Sequence, residues 1–131
     1  MSNIKKKYHI DIYMEDSIIK EALRVQRELT SIKYSKHILE RTSNKDSKHP
    51  FERQDIVRAL NKAKRSPVIP FEVETTDNKL SKLVIRLSHN EQKDIIVVLG
   101  LHDNLVLCVT AWTNDVKDLH YTLDTNAYEH K

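Results

Sequence analysis

The apolar residues of this 131-residue chain change their spacing at Pro67, and this change limits the folds that the chain can adopt. Before Pro67 they recur every three or four residues, which is the period of an amphipathic helix. After it they alternate or run continuously, as in β-strands, in four short segments: VIPFEVET (68–75), LSKLVIRL (80–87), DIIVVLGL (94–101) and NLVLCVTAWTN (104–114). The links between these segments are too short for crossover helices, so an antiparallel sheet is predicted.

Three helices are predicted before this sheet. One covers residues 15–30, where apolar residues recur between charged ones. A second begins after Ser35, which can cap it, and a third begins at Pro50, a residue that suits the first turn of a helix. The segment YHIDIYM (8–14) alternates and predicts a short edge strand. The predicted fold is therefore α+β, with N-terminal helices packed on a four-stranded antiparallel β-sheet.

Length and composition favour a single domain over residues 1–131, because a chain of this size builds one modest core. Charged residues make up 31% of the chain, and the net charge of +3 permits a polyanionic partner without requiring one. The single cysteine, Cys108, excludes an intrachain disulfide and a cysteine-based zinc site. No apolar stretch has the length of a signal peptide or a membrane span, so we expect a cytoplasmic protein with no membrane partner.

The segment YSKHILER (34–41) carries the first candidate catalytic residues. His37 and Arg41 are four residues apart and share one face of the helix that Ser35 caps. In the first turn of that helix the dipole disfavours a cation, which suits His37 to act as a general base. Arg41 offers a planar cation of the kind that binds phosphate, and Ser35 is a candidate substrate contact. The alternative is an exposed helix face without a function, which spacing alone favours.

Such a pair suits RNA cleavage by internal transfer. A base removes the proton of the 2′-OH, a cation stabilises the pentacoordinate phosphate, and an acid protonates the leaving 5′ oxygen. No metal and no cofactor are needed. His120 is the candidate for the second acid or base, with Tyr121 beside it for stacking, and the alternative is a surface tail with local ion pairs. His49 either caps a helix end or contributes to substrate binding.

The last predicted strand carries three further candidates for substrate binding. Thr110, Trp112 and Asn114 alternate along it and share one face. Trp112 offers a platform on which a base can stack, and Arg86 adds a cation if it points to the same side. In the alternative, Trp112 fills the core under the helices.

Basic residues cluster before the sheet and indicate either solvated helix faces or, as the second interpretation, a groove that follows an RNA strand. They are KKK (5–7), Lys33, Lys36, Arg53, Arg58, Lys62, Lys64 and Arg65.

The segment IKYSKHILERT resembles the KYSxHxxxR arrangement of RegB-type phage endoribonucleases and the SxHxxxR opening of small RelE-like domains. These families share the RelE, barnase and colicin-type ribonuclease fold, in which helices precede an antiparallel sheet. The resemblance implies a metal-independent endoribonuclease that leaves 2′,3′-cyclic phosphate and 5′-OH ends, with His37 as catalytic histidine and Arg41 as its partner. RegB-type enzymes carry a second functional histidine where this chain has Asn61, so His49 or His120 replaces it, or the activity is changed or lost.

Two functions therefore remain open from the sequence. In the first, the chain is a phage-encoded or toxin-like endoribonuclease that cleaves single-stranded mRNA, with His37 and His120 as acid and base and with Arg41 and Arg86 on the phosphate. In the second, it is a non-catalytic RelE-like module that binds RNA or a host protein. The expected partner is single-stranded RNA, with the ribosome or a host RNA-binding protein as further candidates.

Overall fold

The computed structural model describes residues 4–9, 14–43, 52–103 and 105–118. This part of the chain contains three helices and six strands. Strands and helices alternate as far as α2, and α3 and the last four strands follow. In chain order they are β1 (Lys5–His9), α1 (Asp16–Arg27), β2 (Lys33–Tyr34), α2 (Lys36–Ser43), α3 (Arg53–Arg65), β3 (Glu72–Thr76), β4 (Lys79–Ser88), β5 (Lys93–His102) and β6 (Leu105–Asp115).

The strands form one sheet in the order β1-β3-β4-β5-β6-β2. Strands β3 to β6 pair successively and antiparallel, which confirms the predicted meander. The prediction of four strands is wrong, because β1 pairs antiparallel with β3 at one edge and β2 pairs parallel with β6 at the other. The lysines of β1 suit its edge position, since charged side chains there discourage pairing with a second sheet.

All three helices pack on one face of the sheet, which confirms the predicted α+β class. Their core is formed by side chains that are fully buried, and burial of each large one contributes roughly 1.5–3 kcal/mol. The helices contribute Ala22, Ile38, Ile56 and Ala63, and the strands contribute Val73, Leu83, Ile85, Val97, Leu99, Cys108 and Ala111. None of the described helices is both long and apolar enough to cross a membrane.

The helix α3 begins at Arg53 and its first turn is closed by two hydrogen bonds. The Glu52 N–H donates to the Asp55 carboxylate at 2.7 Å, and the Asp55 N–H donates to the Glu52 carbonyl at 2.9 Å. This exchange satisfies backbone groups that a helix end leaves unpaired. The predicted start at Pro50 lies outside the described residues.

The other face of the sheet carries a smaller buried cluster. Its members are Phe71, Val84, Ile96 and Val98, and within the described residues no helix contributes to it. Trp112 is half-buried and packs against this cluster as well as against the helix-side core. The sheet therefore buries apolar side chains on both of its faces, as expected for central strands without polar alternation.

One buried polar side chain, that of Gln26, fixes α1 to the segment that leads into the sheet. Its amide nitrogen donates to the carbonyls of Val68, at 2.7 Å, and Ala22, at 3.2 Å. Its amide oxygen accepts the Val68 N–H at 2.9 Å. Both amide N–H groups and the oxygen are thus satisfied, which is what allows this side chain to be fully buried.

Replacing Gln26 with leucine is expected to lower the free energy of unfolding by about 1–3 kcal/mol, because the Val68 N–H and carbonyl lose their partner in a part-buried place. Urea unfolding measures the change. The matched control is Gln54→Leu on the exposed side of α3, which we expect to stay within about 0.5 kcal/mol of the wild type. A Gln26→Leu unfolding curve that overlays the wild-type curve would contradict this role.

Candidate functional site

Ser35 joins the edge strand β2 to the helix α2. Its N–H donates to the Cys108 carbonyl at 3.0 Å and continues the pairing with β6. Its hydroxyl donates to the Val109 carbonyl at 2.7 Å and accepts the Ile38 N–H at 3.1 Å. Ser35 therefore caps α2, as the sequence predicts, and its hydroxyl is occupied by the backbone.

His37 lies in the first turn of α2 and its side chain is exposed to solvent. The next residue, Ile38, is fully buried in the helix-side core, so the packing of α2 turns His37 outward. Within the described residues no hydrogen bond or ion pair engages its ring. Arg41 lies on the same helix, and its side chain is outside what the structure describes. The helix thus presents His37 to solvent near the edge of the sheet that β2 forms.

The remaining predicted residues of the sheet lie on the face away from the helices. Arg86 and Trp112 are both paired with Ile96, from opposite sides of β5. Thr110 and Asn114 alternate with Trp112 along β6 and share its face. The register therefore places all four predicted side chains on one face of the sheet, with Arg86 two strands away from the other three.

Arg86 is engaged by the protein itself. Its Nε donates to Asp94 Oδ2 at 2.8 Å, its Nη2 donates to the Asp115 carbonyl at 3.0 Å, and its guanidinium carbon lies 5.3 Å from the centroid of the Phe71 ring. The side chain is only 8% exposed. Its Nη1 is buried and has no hydrogen-bond partner in the part of the chain that the structure describes. Because Asp94 already compensates the charge, Arg86 is placed to hold β4, β5 and β6 together.

His37 and Arg86 are not brought together. The helix of His37 packs on one face of the sheet, whereas Arg86 lies on the other face with β5 and β6 between its strand and β2. His49, His120 and Tyr121 lie outside the described residues. The described part of the predicted catalytic set therefore consists of one exposed histidine and a buried arginine remote from it.

A cleft of about 140 Å³ opens between the end of α1, β2 and one side of α3. Its floor is apolar and largely buried, and its rim is polar and exposed, as in many ligand-binding pockets. The lining residues are Leu29, Thr30, Ser31, Ile32, Tyr34, Val57, Leu60, Asn61 and Lys64. The cleft is not predicted from the sequence, because its walls come from three separate elements that meet only in the folded chain.

Tyr34 is half-buried in this cleft. Burial raises the pKa of its phenol, the nearby Cys108 thiol acts in the same direction, and Arg53 opposes them. Tyr34 therefore stays neutral at physiological pH and offers an aromatic face and a hydroxyl. Burial also raises the pKa of Cys108 to about 12, which makes this fully buried thiol a poor nucleophile.

The exposed side of α3 is strongly basic. The helix carries five cationic side chains and one acidic one, so its formal charge of +4 exceeds the net charge of +3 of the whole chain. We call the five cations the basic face of α3: Arg53, Arg58, Lys62, Lys64 and Arg65, all exposed. The Arg58 guanidinium approaches Asp55 to 3.3 Å, and the Arg53 Nε donates to Thr42 Oγ1 of α2 at 3.4 Å. The positive charge thus extends from α3 toward α2.

Comparison with protein-family models, with curated proteins and with solved structures finds no match for this chain. In the described residues, no group of three or more histidine, cysteine and acidic side chains is placed to hold a metal ion. The chemistry of the basic face, of the cleft and of His37 is therefore the basis on which a function can be inferred.

Proposed function

We propose that this protein binds single-stranded RNA along the basic face of α3. The observation that carries the proposal is the concentration of five exposed cations on a helix of 13 residues. Lysine and arginine side chains bind phosphates and release condensed counterions, which provides affinity without requiring a sequence. The cleft beside the same helix adds the half-buried ring of Tyr34, on which a base can stack.

Replacing Arg58, Lys62 and Arg65 together with glutamine is expected to weaken RNA binding on the order of tenfold at moderate salt. These residues lie four and three positions apart on α3 and are exposed, so the substitutions remove phosphate contacts without opening the core. Fluorescence anisotropy with a labelled 12-nucleotide RNA over a salt series is the measurement. The slope of log affinity against log salt should become shallower by about 2, at about 0.7 for each lost contact.

The matched control replaces three exposed lysines outside α3, namely Lys5, Lys20 and Lys79, with glutamine. It changes the net charge by the same amount, and we expect affinity within about twofold of the wild type, because only short-range contacts survive screening. Equal losses in both triple variants would mean that net charge, and not the basic face of α3, attracts RNA. Absence of RNA binding by the wild type at low salt would overturn the proposal.

A second candidate function is cleavage of the bound RNA, which the exposure of His37 in the capped first turn of α2 favours. In this proposal the chain is a RelE-like endoribonuclease, His37 is one acid or base, and His49 or His120 is the other. Arg41 is the phosphate cation on the same helix, because the structure engages Arg86 elsewhere. Both functions are proposed for the cytoplasm, with single-stranded mRNA, free or on the ribosome, as the partner.

A further inference from the structure

We infer that the cleft between the end of α1, β2 and α3 holds one unstacked base of the RNA, with the base against Tyr34 and its hydrogen-bonding edge at Asn61. This inference rests on the proposed RNA binding and names the part of the substrate that the cleft receives. Lys64 belongs both to the basic face of α3 and to the rim of the cleft, so a strand that reaches the Lys64 end of that face lies at the mouth of the cleft. A base turned out of such a strand leaves its phosphates on the cations.

The floor of the cleft suits the apolar face of a base. Leu29 and Leu60 are each 4% exposed, and Ile32, Val57 and Tyr34 are half-buried around them. Bases stack on aromatic rings whatever their identity, because each presents a flat π-face, and such stacking commonly changes affinity by about tenfold or more for each base. The floor therefore provides affinity for a base without a choice among bases.

The rim of the cleft supplies polar groups that can discriminate among bases. Asn61 is exposed on α3, and its amide presents one acceptor and two donors side by side. This pattern matches the N6 and N7 edge of adenine, to which asparagine commonly forms two hydrogen bonds. Lys64, three positions along the same helix, is exposed at the same rim and can contact the adjoining phosphate. One helix thus offers contacts to the base and to the backbone of one nucleotide.

The backbone at the rim is held in an unusual conformation. Ser31 has a φ of 46°, in the left-handed region that residues other than glycine rarely adopt. Such residues persist only where the surrounding structure fixes them, and they concentrate at ligand-binding sites. Here the turn at Ser31 brings the end of α1 and the start of β2 to the cleft, which shapes its wall.

The test compares three eight-nucleotide RNA probes in fluorescence anisotropy: oligoadenylate, oligouridylate and an abasic ribose-phosphate oligomer. Wild-type protein is expected to bind oligoadenylate about tenfold more tightly than the abasic oligomer. Tyr34→Leu should lose most of this difference while it binds the abasic oligomer unchanged, and Tyr34→Phe should keep it. Asn61→Leu should reduce the preference for oligoadenylate over oligouridylate.

The control Gln54→Leu removes an exposed amide from α3 outside the cleft and should leave all three affinities unchanged. Thermal unfolding of Tyr34→Leu checks that the variant is folded at the temperature of the assay, and Asn61→Leu, at an exposed position on the rim of the cleft, tests the base site if it is not. Equal binding of oligoadenylate and the abasic oligomer by wild-type protein would overturn the base site and leave RNA binding by the basic face intact. Failure of all three probes to bind would overturn the proposed function itself.

Discussion

Replacing Arg86 with leucine is expected to lower the free energy of unfolding by about 3 kcal/mol. Removal of one partner of a buried ion pair commonly costs about 3–5 kcal/mol, because the other charge is left in a poorly hydrated place. The lower end applies here, since the Asp94 side chain keeps 21% of its exposure and can recover some water. The substitution also removes the hydrogen bond to the Asp115 carbonyl and the contact with Phe71. Urea unfolding followed by the fluorescence of Trp112, the single tryptophan, measures the loss.

Two further variants identify the cause of this loss. A double variant, Arg86→Leu with Asp94→Leu, also removes the carboxylate that has lost its partner. Its free energy of unfolding is expected to exceed that of Arg86→Leu by at least about 1 kcal/mol. Arg58→Leu breaks an ion pair whose arginine is 71% exposed, and it should change stability by less than about 0.5 kcal/mol. Wild-type stability of Arg86→Leu would refute the structural role of this arginine and return it to the candidates for phosphate binding.

The strands of the sheet differ in how well the sequence predicts them. The bounds of β4 and β5 agree with the predicted segments to within one residue, because a long apolar run fits the centre of a sheet that is buried on both faces. The strand β2 has only two residues, too few to show a period, and it exists through its parallel pairing with β6. The strand β1 begins with three lysines, so its polar and apolar residues do not alternate. It covers Lys5–His9 and therefore overlaps only the start of the segment predicted as a strand, 8–14.

In the candidate site, too, features set by neighbouring residues could be predicted from the sequence, whereas features set by residues distant in the sequence could not. The cap at Ser35 and the outward direction of His37 follow from neighbours within one helical turn, and both could be predicted. The pairing of Arg86 with Asp94 depends on the register of β4 against β5, where Ser88 lies opposite Asp94. The cleft depends on three elements that meet only in the folded chain. Its presence therefore could not be predicted from spacing.

Replacing His37 with alanine is expected to reduce RNA cleavage by about 10²- to 10⁴-fold if the second candidate function holds, because a positioned acid or base contributes a factor of this size. The assay incubates purified protein with unstructured, 5′-labelled RNA in EDTA, with and without ribosomes, and identifies 2′,3′-cyclic phosphate ends on the products. His102→Ala is the matched control. His102 is exposed in the hairpin that joins β5 to β6, remote from α2 in the sequence, and its loss should leave cleavage unchanged.

A His37 variant distinguishes RNA binding from RNA cleavage, because His37 does not belong to the basic face of α3. His37→Ala should therefore keep the RNA affinity of the wild type while it loses cleavage, so that the effect appears in kcat and not in KM. Parallel losses of affinity and cleavage would instead make His37 a phosphate or base contact. Intact RNA after incubation with wild-type protein, with ribosomes present, would exclude the endoribonuclease and leave the basic face of α3 to serve a binding module.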